Sequence, residues 1–133
     1  MGQPAVKQGD QVIATDTHIV MVPAGPSLVP TPLPHPFTGK ITGGTVATVK
    51  IGGQPAAVVG SIADNTPPHI PTPPGVSFQA PPSNKGTVKM GSATVKIGGK
   101  QAARNADTCV TCNDPADVPV GQVIAAGTVL VGG

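Results

Sequence analysis

The chain has 133 residues, of which 18 are Gly and 17 Pro, only 11% are charged, and the formal net charge is +2. Without Trp or Tyr and with two Phe, the core must be built from Val, Ile and Ala, which offers little apolar area and calls for some additional staple. The eight basic residues are scattered rather than gathered into a stripe, which argues against phosphate-backbone binding and excludes nucleic acid as the expected partner.

In chain order, the first segment, QPAVKQGD (3–10), has neither a basic nor an apolar leader character, so synthesis in the cytoplasm without a cleaved signal is expected. It passes through a Gly-Asp turn into an apolar stretch that suits strands and contains His18. From Pro23 to Pro36 six prolines fall in fourteen positions, and a stiff surface loop is predicted there because proline removes backbone donors and fixes φ. The next segment, ATVKIGG (47–53), alternates apolar and polar residues, so Ala47, Val49 and Ile51 are predicted to form the inner face of a half-buried strand. A Gly-Gly turn then delivers the chain to QPAAVVGS (54–61).

A second proline-rich loop is predicted over 67–82, and after it the same sentence returns as ATVKIGGKQAARNAD (93–107). The last residues, GTVLVGG (127–133), repeat the strand alone, and QPAVKQGD at the start supplies the half it lacks. The unit is therefore written three times, with one copy split between the two ends of the chain. Three units that cannot bury their inner faces alone would pack around a common axis. The expected fold is all-β: a cone-shaped pseudo-threefold β-roll or prism with proline-rich loops and an apical metal site, forming a single domain over 1–133 with no extension domain. The N-terminal segment should pair with the C-terminal strand and close the ring.

Measured along this repeat, His18 lies eight positions after Asp10, and His69 lies eight after Ser61, the residue equivalent to Asp10. The third unit has Cys109-Val110-Thr111-Cys112 in the corresponding segment. Two imidazoles and two thiolates suit a closed tetrahedral Zn²⁺ site, so His18, His69, Cys109 and Cys112 are the predicted ligands of one structural zinc ion. A three-His, one-Cys set that uses His35 is the rival arrangement. Such a site would supply the staple that the small core lacks. A redox role for the C-x-x-C pair is disfavoured because nothing around it reads as a helix. A catalytic zinc is disfavoured because the chain has no Glu to act as a base.

The segments QPAVKQGD, QPAAVVGS and KQAARNAD, each tied to a TV-x-[IV]-GG strand, resemble the proline-alanine-alanine-arginine (PAAR) repeat proteins over nearly the whole chain. Ser61 in place of Asp, Ala106 in place of Gly and the long proline-rich loops depart from that pattern. The resemblance implies a non-enzymatic, membrane-piercing tip that caps the trimeric β-helical spike of a contractile injection apparatus. Type VI secretion, extracellular phage-tail-like injection systems and contractile phage tails are the machines concerned. It further implies one bound zinc, a spike partner of the valine-glycine-repeat or phage-spike type, passing contact with a target membrane, effector cargo as a further partner, and delivery on the particle to the extracellular space or target cell. A stand-alone β-rich adhesin or carrier module and a small zinc-dependent or thiol redox enzyme are the competing readings.

Overall fold

The computed structural model describes residues 2–132, so Gly133, the end of the Gly-Gly turn expected in the split copy, lies outside the described residues. The regular structure is all strand: β1 (Gln3–Pro4), β2 (Gln11–Ala24), β3 (Ser27–Gly43), β4 (Val46–Ile51), β5 (Gln54–Ala56), β6 (Ile62–Asn65), β7 (Ser77–Phe78), β8 (Lys85–Val88), β9 (Lys96–Ile97), β10 (Lys100–Gln101), β11 (Thr108–Thr111), β12 (Val118–Ile124) and β13 (Leu130–Val131). Among the described residues no helix is long and apolar enough to cross a membrane.

The three copies of the repeat meet through a cycle of backbone hydrogen bonds. Val6 N–H donates to Ala103 O at 3.1 Å, Ala103 N–H to Ala57 O at 3.1 Å, and Ala57 N–H to Val6 O at 3.0 Å. Bridges Ala5–Arg104, Lys7–Ala56 and Val58–Ala102 flank it in the same cyclic order. Two of the three positions are alanine and the third is the fully buried Val6, in keeping with the small space left where three backbones converge.

On one side of this ring lie three two-stranded hairpins, β4–β5, β9–β10 and β1–β13, the last joining the two ends of the chain. Here Ala5, Ala102 and Val131 form a small cluster with Ile51, Val95 and Ile97. Of the predicted inner face of β4 only Ile51 is partly buried, in that cluster; Ala47 is exposed and Val49 is 37% exposed. The register of β4 slips between Val46 and Lys50, which breaks the simple alternation.

On the other side, β2, β3, β6, β8, β11 and β12 pair in sequence, all antiparallel, and β12 returns to β2, so the six strands close into a barrel without a free edge. Three inward pairs repeat around it: Val12 opposite Gly39, Ala63 opposite Gly86, and Cys109 opposite Gly121. Two of these glycines, Gly39 and Gly86, make room for one aromatic ring, that of Phe37. A Cβ on Gly39 would come 2.7 Å from Phe37 Cε1, and one on Gly86 would come 3.3 Å from Cζ.

The proline-rich stretch expected as a loop is instead strand. β2 and β3 pair over fourteen residues, from Gln11–Lys40 to Ala24–Ser27. The strand tolerates its prolines because Pro30, Pro32, Pro34 and Pro36 occupy alternate positions, so their missing donors all fall on one edge. Opposite Pro34, Pro32 and Pro30 stand Thr17, Ile19 and Met21, whose backbone groups bond away from β3. Thr17 N–H donates to Asn113 Oδ1 at 2.6 Å, Ile19 N–H to Asp114 Oδ2 at 2.8 Å, and Met21 O accepts from Val76 N–H at 2.9 Å. The ladder in this stretch is left to Thr31, Leu33, His35 and Phe37. The second proline-rich stretch remains largely irregular and contributes only β7, which lies against β2.

Candidate metal centre

Strand alternation aims Asp16 and His18 into the barrel end from β2, and His35 and Phe37 from β3. His69 arrives from the segment after β6, where its backbone N–H is held by Asn84 Oδ1 at 2.7 Å. Cys112 follows β11 directly. Ligand atoms of Asp16, His18, His69 and Cys112 all lie within 4.8 Å of one another. The four are buried, Asp16 completely and His18 to 1% exposure.

Asp16 is the hub of the cluster. Its Oδ1 accepts from Thr111 Oγ1 at 2.5 Å and from Asn113 Nδ2 at 3.3 Å, which fixes the carboxylate and turns Oδ2 toward His69 Nε2 at 2.9 Å and Cys112 Sγ at 3.4 Å. Since a carboxylate only accepts, the His69 nitrogen donates. Cys112 Sγ lies 3.6 Å from His18 Nε2. Two ligands of one tetrahedral zinc, at usual Zn–N and Zn–S lengths, stand about 3.6 Å apart. The other nitrogen of His18, Nδ1, is buried without a hydrogen-bond partner, although Asp114 Oδ2 lies 3.4 Å away. Asp114 thus stands where a carboxylate commonly steadies a metal-bound histidine.

The Cys112 thiol is pushed up to about 11 by burial and by the Asp16 charge, so without a metal it stays protonated at neutral pH. An ion held by the cluster would displace the thiol proton, and His69 would ligate as a neutral imidazole with its proton on Nδ1. One thiolate and one carboxylate would then balance a divalent charge in a buried place. The residues present therefore fit a metal ion.

The structure gathers His18, His69 and Cys112 from the predicted set and leaves Cys109 apart. Cys109 is fully buried among Val12, Ala63, Val88 and Val123, and burial, reinforced by Asp107, pushes its thiol up to about 12. It lies two positions after Asp107, as Val12 does after Asp10 and Ala63 after Ser61, and so belongs to the barrel wall. His35 is close but committed elsewhere. Its ring centroid is 5.4 Å from that of His18 and 5.6 Å from that of His69. Nδ1 donates to Leu33 O at 2.9 Å and Nε2 accepts from Thr72 N–H at 3.2 Å. Burial, partly offset by the Leu33 carbonyl, lowers its basicity and keeps it neutral.

Asp16 was not anticipated from the sequence. The available signal was Asp16-Thr17-His18, in which two potential ligands share one strand face. No protein-family model matches the chain, and no curated protein matches it significantly.

Proposed function

We propose that this protein is a PAAR-type tip that caps the trimeric spike of a contractile injection apparatus. In this reading the hairpin side is the base, the barrel tapers into a cone, and a zinc ion pins its narrow end. The observation that carries the reading is the closed cycle of hydrogen bonds among Val6, Ala57 and Ala103, through which one chain can imitate the threefold symmetry of a trimer. Support for the orientation comes from the uncovered apolar residues of the hairpins: the repeat-equivalent Val49 and Val129 are 37% and 47% exposed, and Leu130 is 60% exposed.

In the proposed site His18, His69, Cys112 and Asp16 hold the zinc, and His35 forms part of its wall. A structural rather than catalytic role is supported by the burial of the donors and by their number, since four protein ligands fill a tetrahedral set. The function is then mechanical: a rigid, metal-pinned point transmits the force of contraction to a target membrane.

Purified protein should carry about one zinc per chain. Cys112→Ser and Asp16→Ala should lose it, whereas Cys109→Ala and His35→Ala should keep it. Loss of zinc from Cys109→Ala with retention in Cys112→Ser would refute the ligand set. For the spike, the protein should co-purify with a co-expressed trimeric spike, and Val49→Asp with Val129→Asp should abolish the complex. An unaltered complex in that double variant would refute the base assignment.

A further inference from the structure

The chain contains two phenylalanines, and both pack on the histidines of the cluster. Phe37 approaches from inside the barrel, with its ring centroid 6.1 Å from that of His69. Phe78 covers the opposite side, 5.7 Å from His18 and 5.3 Å from His35. The two are held very differently. Phe37 is 1% exposed and boxed by the barrel glycines, whereas Phe78 belongs to a two-residue strand laid along β2 opposite Val20 and Met21.

Resting on the reading of the cluster as a metal centre, we propose that Val76–Gln79 is the gate through which the ion enters and leaves, with Phe78 as its seal. Docked, the ring excludes water and chelators from the His18 and His35 side. The gate opens when the segment peels from β2, which breaks the bonds from Val76 N–H to Met21 O and from Gln79 N–H to Ile19 O, 2.9 and 2.8 Å long. So short a strand, with Val76 59% exposed, can open locally while the barrel stays intact.

The other approaches are held more firmly. Beneath lies Phe37. On the Cys112 side, Asn113 and Asp114 are tied to β2 through Thr17, Ile19 and Asp16. A groove of about 290 Å³ is lined by His35, His69 and Thr72, and its wall is held by Thr72, which donates its N–H to His35 Nε2 and its hydroxyl to Pro34 O.

The test follows Zn²⁺ release from the loaded full-length protein into excess chelator with a chromogenic indicator. Phe78→Ala should release the ion on the order of tenfold faster, the lower end of what outer-shell changes cost in metal affinity, and Phe78→Leu should remain near the native rate. Gln79→Pro keeps the ring but deletes the donor to Ile19 O, and it too should release faster. Because no ligand is changed, Co²⁺-loaded Phe78→Ala and Gln79→Pro should keep the native absorption spectrum. Native release rates in both variants would overturn the gate, as would a changed cobalt spectrum, which would make Phe78 a support for ligand geometry instead. Failure of the native protein to take up either metal would strike the metal reading itself and is separately visible.

Discussion

Position 61 carries serine where the other copies of the repeat carry aspartate, and the residue three places earlier explains the exchange. Asp10 accepts from Lys7 N–H at 2.9 Å and pairs with Lys7 Nζ at 3.0 Å. Asp107 accepts from Arg104 N–H at 2.7 Å and pairs with its guanidinium at 3.0 Å. In the middle copy the cation is replaced by Val58, and Ser61 keeps only the shared turn: its Oγ accepts from Val58 N–H and donates to Gly44 O, both at 2.9 Å. Ser61 is fully buried, so Ser61→Asp would set an uncompensated carboxylate against the Gly44 carbonyl. The expected cost is about 3 kcal/mol by urea denaturation. Adding Val58→Lys should recover a large part of it, because residues 58 and 61 act as a pair. A double variant no more stable than Ser61→Asp would show that charge coupling does not explain the serine.

At the scale of elements, the β2–β3 hairpin shows how far a sequence can be read from composition. Six prolines in fourteen residues look like a loop when counted, yet the four that fall in β3, at positions 30, 32, 34 and 36, alternate and so spare the backbone donors that β2 uses. The decisive information was their spacing against β2, and no count within the segment contains it. The all-β class and the meeting of the three copies were legible because repetition exposes them, and with them the places of His18 and His69; the barrel was not, because one of its strands lies in the stretch that reads as a loop. Cys109 could have been placed by the same count, two residues past the acid; the C-x-x-C spacing drew it toward the metal instead. Asp16 was hidden because only the folded barrel brings it to Cys112 and His69. The alternation makes a sharp prediction. Pro32→Ala, which restores a donor on the outer edge, should change stability by less than about 1 kcal/mol, whereas Leu33→Pro, which removes one from the ladder, should cost about 3 kcal/mol. Equal costs in denaturation would show that the prolines are not sorted by edge.

Over the whole molecule, two different devices hold two ends together. The hairpin end is closed by backbone, the cycle through Val6, Ala57 and Ala103, with the small Ala5, Ala102, Val131 cluster on one side of it and the main core on the other. The opposite end is assembled from pieces with little regular structure between them, namely His69 in an irregular segment, Cys112–Asp114 in the irregular connection from β11 to β12, and β7 with two residues. These pieces converge on Asp16 and His18, so their order depends on what the cluster holds, whereas the ring involves none of its side chains. With the proposed metal in the cluster, chelation should therefore loosen the molecule from one end. In hydrogen exchange, the amides of His69, Thr72, Val76, Gln79 and Asp114 should lose protection first, while those of Val6, Ala57 and Ala103 keep theirs under conditions where the chain stays folded. Ligand binding adds stability in proportion to the logarithm of free metal over its dissociation constant, so a hundredfold excess would contribute about 2.7 kcal/mol that chelation removes. Simultaneous loss of protection at both ends would show that the ring cannot stand without the metal, and the molecule would then be one cooperative unit pinned at a single point.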